Sequence, residues 1–85
     1  MRMVLENVKV LGSGCAKCKA LLENTKAALA ARQSAVTVEY LTDMQKIMAY
    51  GVMSMPALVV NEKVVSMGRV LNAADVEKLL QKLGY

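Results

Sequence analysis

The sequence predicts an α/β fold, with a four-stranded mixed sheet flanked by three helices in the order β-α-β-α-β-β-α. Three observations predict it. Short apolar runs with period-two alternation take turns with longer stretches whose apolar residues recur every three or four positions. Helix-start signals stand before each of the later periodic stretches. Near the end, two apolar runs are separated by only Asn61-Glu62, which reads as an antiparallel hairpin. With 85 residues, the chain is read as a single domain over 1–85, large enough for one modest core.

Val8, Val10 and Leu11, with Lys9 between them, read as a first strand that ends at the turn Gly12-Ser13-Gly14. A helix over Ala16–Ala31 follows, with Cys18, Leu21, Leu22, Thr25, Ala28 and Leu29 along one stripe. Val36, Val38 and Tyr40 alternate with polar residues, giving a second strand over 35–41. Thr42, followed three residues later by Gln45, reads as a capping box. It opens a short helix with Met44, Ile47 and Met48 inward, ended by Gly51. The run Ala57-Leu58-Val59-Val60 turns at Asn61-Glu62 into Lys63-Val64-Val65. Asn72 caps a last helix that turns Ala73, Val76, Leu79, Leu80 and Leu83 inward. The first two strands, joined through a helix, are expected to be parallel with a right-handed crossover.

The chemistry concentrates in Cys15-Ala16-Lys17-Cys18, which holds the only two cysteines. A thiol at the first turn of a helix faces unpaired backbone N–H groups and the positive end of the helix dipole. Both favour thiolate, the nucleophilic form. The stripe places Cys18 on the covered face and Cys15 at or before the first turn. One accessible and one covered thiol are what a nucleophile and a resolving thiol require. Lys17 and Lys19 flank the pair. Either they lower the Cys15 pKa further, Lys17 more than Lys19, or they are solvated and screened.

Composition excludes several classes. The charge of +4 is spread along the chain without a dense run, and the aromatics are three tyrosines, so a nucleic-acid surface is not expected. No apolar stretch reaches the roughly 18–20 residues that span a bilayer. Glu6 comes too early for a signal-peptide apolar region, so a cytoplasmic location is expected. In that compartment a close cysteine pair points to catalysis or metal binding rather than a structural staple. Tetrahedral zinc would need four ligands, and the chain has two Cys and no His. A soft-metal site for Cu(I), helped by seven methionines, remains a rival reading. A binding module without turnover is another.

The element order, the CxxC at the start of the first helix, and Met55-Pro56 just before the third strand together resemble the thioredoxin-like fold. Within it, the chain is most similar to the small archaeal and bacterial redox-active disulfide protein 2 group. The residues are Gly12-Ser13-Gly14-Cys15-Ala16-Lys17-Cys18, Met55-Pro56-Ala57-Leu58-Val59-Val60 and Met67-Gly68-Arg69-Val70. The resemblance implies a thiol–disulfide oxidoreductase that is a monomer and needs no cofactor beyond a redox-active Cys15–Cys18 disulfide. It assigns attack on a partner disulfide to Cys15 and resolution of the mixed disulfide to Cys18. It also implies a cis peptide before Pro56, and a Met55 backbone offered to an extended substrate. Gly14, Met55 and Gly68 would line the docking patch. The implied partners are a disulfide-bearing protein or small molecule, and a thioredoxin-reductase-like or glutathione electron donor. Three features depart from thioredoxin itself: Gly14 replaces the aromatic before the motif, Ala16-Lys17 stands in place of Gly-Pro within it, and Val8-Lys9-Val10-Leu11 offers no counterpart to the buried acid.

Overall fold

The structure, a computed structural model, describes residues 3–85. The elements are β1 (Val8–Leu11), α1 (Ala16–Ala31), β2 (Val38–Leu41), α2 (Met44–Ala49), β3 (Ala57–Val60), β4 (Lys63–Met67) and α3 (Ala73–Lys82). The strands form one sheet in the order β2-β1-β3-β4, with β1 parallel to β2 and antiparallel to β3. This is the expected thioredoxin-like architecture.

Alternation along the strands sends side chains to two separate cores. Val8, Val10, Val38, Leu58 and Val60 face α1 and α3, meeting Leu21, Ala28, Leu29, Val76 and Leu80. Leu11, Ala57 and Val59 face the other way and pack with Ile47 of α2 and Val52. Central β3 is therefore buried at every position, as its unbroken apolar run requires. Thr25, a polar residue in the α1 stripe, is accommodated because its hydroxyl donates to Leu21 O at 2.7 Å, one helical turn back.

Local differences from the sequence reading have physical causes. The second strand begins at Val38 rather than at residue 35, because Val38 pairs with Val8, where β1 itself begins. β4 runs on to Met67, which pairs with Ala57. The N-cap of α2 is Asp43, not Thr42: its carboxylate accepts from Gln45 N at 2.9 Å and Lys46 N at 3.4 Å. An ionised acceptor suits the helix dipole better than a hydroxyl does. Met44 and Met48 are exposed rather than inward, and Ile47 alone in α2 is buried. A six-residue helix turns too little of its surface to the sheet to bury three side chains.

In the β3–β4 turn, Asn61 and Glu62 both adopt positive φ, 49° and 67°. Glu62 tolerates this conformation with its carboxylate 2.8 Å from Lys9 Nζ, and Lys9 Nζ also donates to Tyr50 Oη at 2.8 Å. Asn61 ties the turn to the N-terminal segment. Its Oδ1 accepts from Glu6 N at 2.7 Å and Asn7 N at 3.1 Å, while Nδ2 donates to Val4 O at 2.7 Å. Asn61→Ala is expected to cost about 0.5–1.5 kcal/mol, because water replaces these largely exposed bonds while alanine is less at ease than asparagine at a positive φ. Thermal unfolding reads this as a lower midpoint, and an unchanged midpoint would contradict it.

Candidate active site

β1 delivers the chain to the site. One residue beyond the strand, Gly12 N still donates to Leu41 O at 3.0 Å, so the backbone leaves the sheet only after Gly12. Gly14 then turns it, at a φ of 86° that a side chain would resist. Cys15 lands at the N-cap of α1 in extended conformation, with no side-chain capping bond, and its carbonyl accepts from Lys19 N at 3.0 Å.

The two thiols are unequal as the stripe predicts. Cys15 is exposed and Cys18 fully buried, both are free, and their sulfurs stand 2.8 Å apart. The Cys15 thiol is held below the ordinary cysteine pKa, chiefly by hydrogen bonding from the Cys18 thiol. The Cys18 backbone N–H, the Ser13 hydroxyl and the Lys17 backbone N–H act in the same direction, while desolvation opposes them. These donors meet a thiolate better than a thiol, which is why the acid form is disfavoured. The influence of Lys17 on Cys15 thus comes through its backbone N–H at the helix start. Its side chain, like that of Lys19, is exposed, where an ammonium is well screened.

The remaining sequence-predicted residues gather at the same end of the sheet. Ala57 pairs with Leu11 and with Met67, so the residues just before β3 lie beside the exit of β1 and the end of β4. There the Met55–Pro56 peptide is cis, Pro56 is buried and Met55 half-buried. Gly68 N donates to Pro56 O at 2.9 Å. Gly68 has a φ of 73°, and a Cβ on it would stand 3.0 Å from Ser54 Cβ. Met53 and Met67 are exposed beside this loop, with Met53 N donating to Met67 Sδ at 3.4 Å. Among the described residues, no group of three or more His, Cys, Asp or Glu side chains gathers into a metal-binding cluster.

Sequence reasoning missed two residues. Gly12 read as part of a turn, yet it is buried, and its hydrogen faces Cys18. A Cβ there would lie 2.5 Å from Cys18 Cβ and 2.6 Å from Cys18 Sγ. Tyr40 read as an inward strand residue, which its ring is, packed against the core that α1 and α3 cover. Its hydroxyl, however, ends near Cys18 beside Gly12, lies hidden from water and has no hydrogen-bond partner among the described residues. The one signal in the sequence was a polar atom carried on an inward strand position.

Comparison with known proteins agrees with this geometry. A family model described as a thioredoxin domain matches residues 6–81. A thioredoxin from Methanothermobacter thermautotrophicus is 29% identical over 73 residues, covering 86% of this chain and 95% of that protein.

Proposed function

The chain belongs to the thioredoxin family, and from that membership we propose that it is a thiol–disulfide oxidoreductase acting through Cys15 and Cys18. The observation that carries the reading is an exposed thiol biased toward thiolate, 2.8 Å from a wholly buried partner thiol.

In the reducing direction, the Cys15 thiolate attacks one sulfur of a target disulfide. The target S–S bond breaks, and its electron pair leaves on the second sulfur, which takes up a proton. Cys18 then gives up its proton and attacks Cys15 Sγ. The Cys15–Cys18 bond forms, the mixed disulfide breaks, and the departing target thiolate takes up a proton. Two electrons and two protons pass to the target in all. The reverse sequence oxidises a dithiol, and the balance between directions follows from the reduction potentials.

The substrate side is read as the edge around Met55 and Pro56. An extended segment pairs there with the Met55 backbone, and Gly14 and Gly68 leave it room. The exposed Met53 and Met67 side chains supply adaptable apolar contact. The partners would be a disulfide-bearing protein or small molecule and a reductase or glutathione as electron donor, in a reducing cytoplasm that keeps the pair as a dithiol. The chain fits best among the small redox-active disulfide proteins of the family.

Two measurements test the reading. The protein is expected to accelerate insulin reduction by dithiothreitol, and a rate equal to the uncatalysed one would contradict it. Alkylation of Cys15 by iodoacetamide, followed against pH, is expected to have its midpoint below that of a free thiol (about 8.5). The sign follows from the donors: they stabilise the thiolate, so the reactive form persists to lower pH. Cys18→Ala removes the largest of them and is expected to move the midpoint upward. A wild-type midpoint at the free-thiol value would remove the activation argument.

A further inference from the structure

The redox centre contains one polar group that the exchange steps above leave unused. Among the described residues Tyr40 Oη is shielded from water and unpaired, a costly state for a hydroxyl that folding alone does not explain. The group beside it is Cys18. Both atoms border the space left open by the bare Cα of Gly12, where a Cβ would stand 2.6 Å from Cys18 Sγ and 3.4 Å from Tyr40 Oη. Gly14 N–H and the Cys18 side chain adjoin the hydroxyl, yet neither satisfies it.

β1 carries no carboxylate, and Lys9 is engaged with Glu62 and Tyr50. Resolution nevertheless requires a negative charge on a fully buried sulfur, which is unfavourable without a donor.

We infer that the Tyr40 hydroxyl is the hydrogen-bond donor that stabilises the Cys18 sulfur as a thiolate, when Cys18 attacks the mixed disulfide and when it leaves in the reverse step. The proposal rests on the exchange reading above and assigns a role within it. No atom passes from Tyr40: the phenol keeps its proton, and the proton lost by Cys18 is balanced by the one the departing target sulfur takes up. Burial holds the phenol pKa above its ordinary value, and the nearby charges of Cys18 and Cys15 act in the same direction, so the group stays a donor at neutral pH. The contact is strongest when Cys18 is charged and idle when it is not. That difference is what lowers a barrier rather than merely tightening the resting state.

Reaction of the reduced protein with dithiobis(nitrobenzoate) separates the steps. Attack by Cys15 releases one thionitrobenzoate and leaves a mixed disulfide; resolution by Cys18 releases a second. In the wild type, both are expected. Tyr40→Phe keeps the ring and removes only the hydroxyl. It is expected to leave the first phase within about twofold and to slow the second about tenfold or more, the size of a lost hydrogen bond to a charged group. Its thermal midpoint is expected to stay at or above the wild-type value, because an unpaired buried hydroxyl has been removed. A second phase unchanged by Tyr40→Phe would overturn the role, as would equal slowing of both phases. Release of a single equivalent by the wild type would instead overturn the exchange reading itself, and the role with it.

Discussion

Cys15→Ser is expected to abolish insulin reduction, lowering the rate by at least about a thousandfold. A serine hydroxyl stays protonated at neutral pH and does not attack disulfides, and Cys18 is too deeply buried to meet a target in its place. The loss is expected without any fall in thermal stability. Cys15 occupies the N-cap of α1, where the Cys18 and Lys17 N–H groups favour its thiolate but the resting thiol makes no capping bond. Serine is among the best N-cap residues, with a hydroxyl that accepts from the first-turn N–H groups. Folding alone would favour serine here, and thiol chemistry explains the cysteine. Cys18→Ser separates the two roles: Cys15 still attacks, but the mixed disulfide persists and is read by mass spectrometry as a covalent adduct. Full turnover by either variant would contradict the assignments.

Gly12→Ala is expected to damage both stability and exchange. The added methyl would stand 2.5 Å from Cys18 Cβ and 2.6 Å from its sulfur, closer than real contacts allow. Cys18 is fixed in the first turn of α1 and buried, so the strain cannot be relieved by rotating a side chain into solvent. Overpacking of this kind costs about 1–3 kcal/mol. In a domain of this size, that lowers the thermal midpoint by roughly 4–8 °C per kcal/mol. Displacing Cys18 by about an ångström from Cys15 is expected to slow resolution up to roughly a hundredfold. The backbone is not the cause, since Gly12 is not among the positive-φ residues. Wild-type melting and wild-type resolution in Gly12→Ala would show that the close approach is not required.

The contrast between α1 and α2 shows which parts of this fold are legible in sequence. α1 runs sixteen residues, long enough for Cys18, Leu21, Thr25, Ala28 and Leu29 to define a face, and its limits are the predicted ones. α2 has six, too few to set a period: Asp43 rather than Thr42 caps it, and Met44 and Met48, inward by sequence pattern, lie exposed. The unequal burial of Cys15 and Cys18 was legible because it depends only on local helical geometry.

What stayed hidden depends on how turns and strand pairing bring residues together in space. Glu62 looks ill-suited to its turn until Lys9 is found against its carboxylate. The reason for Gly12 lies in a side chain six positions on that returns to it through the turn and the start of α1. Tyr40 joins the thiols only because β2 pairs in parallel with β1, which brings Tyr40 level with Val10 near the strand's exit. Alternation could state that Tyr40 points inward, but not that its hydroxyl ends beside a sulfur.

The central claim is that Cys15 and Cys18 interconvert reversibly between dithiol and disulfide while the surrounding fold stays intact. The most direct measurement is the mass of the native protein across glutathione buffers of graded redox poise. The account predicts a reversible loss of two hydrogens with a single midpoint, absent in both Cys15→Ser and Cys18→Ser. A mass that stays constant across the series, or that changes only by addition of glutathione, would contradict it.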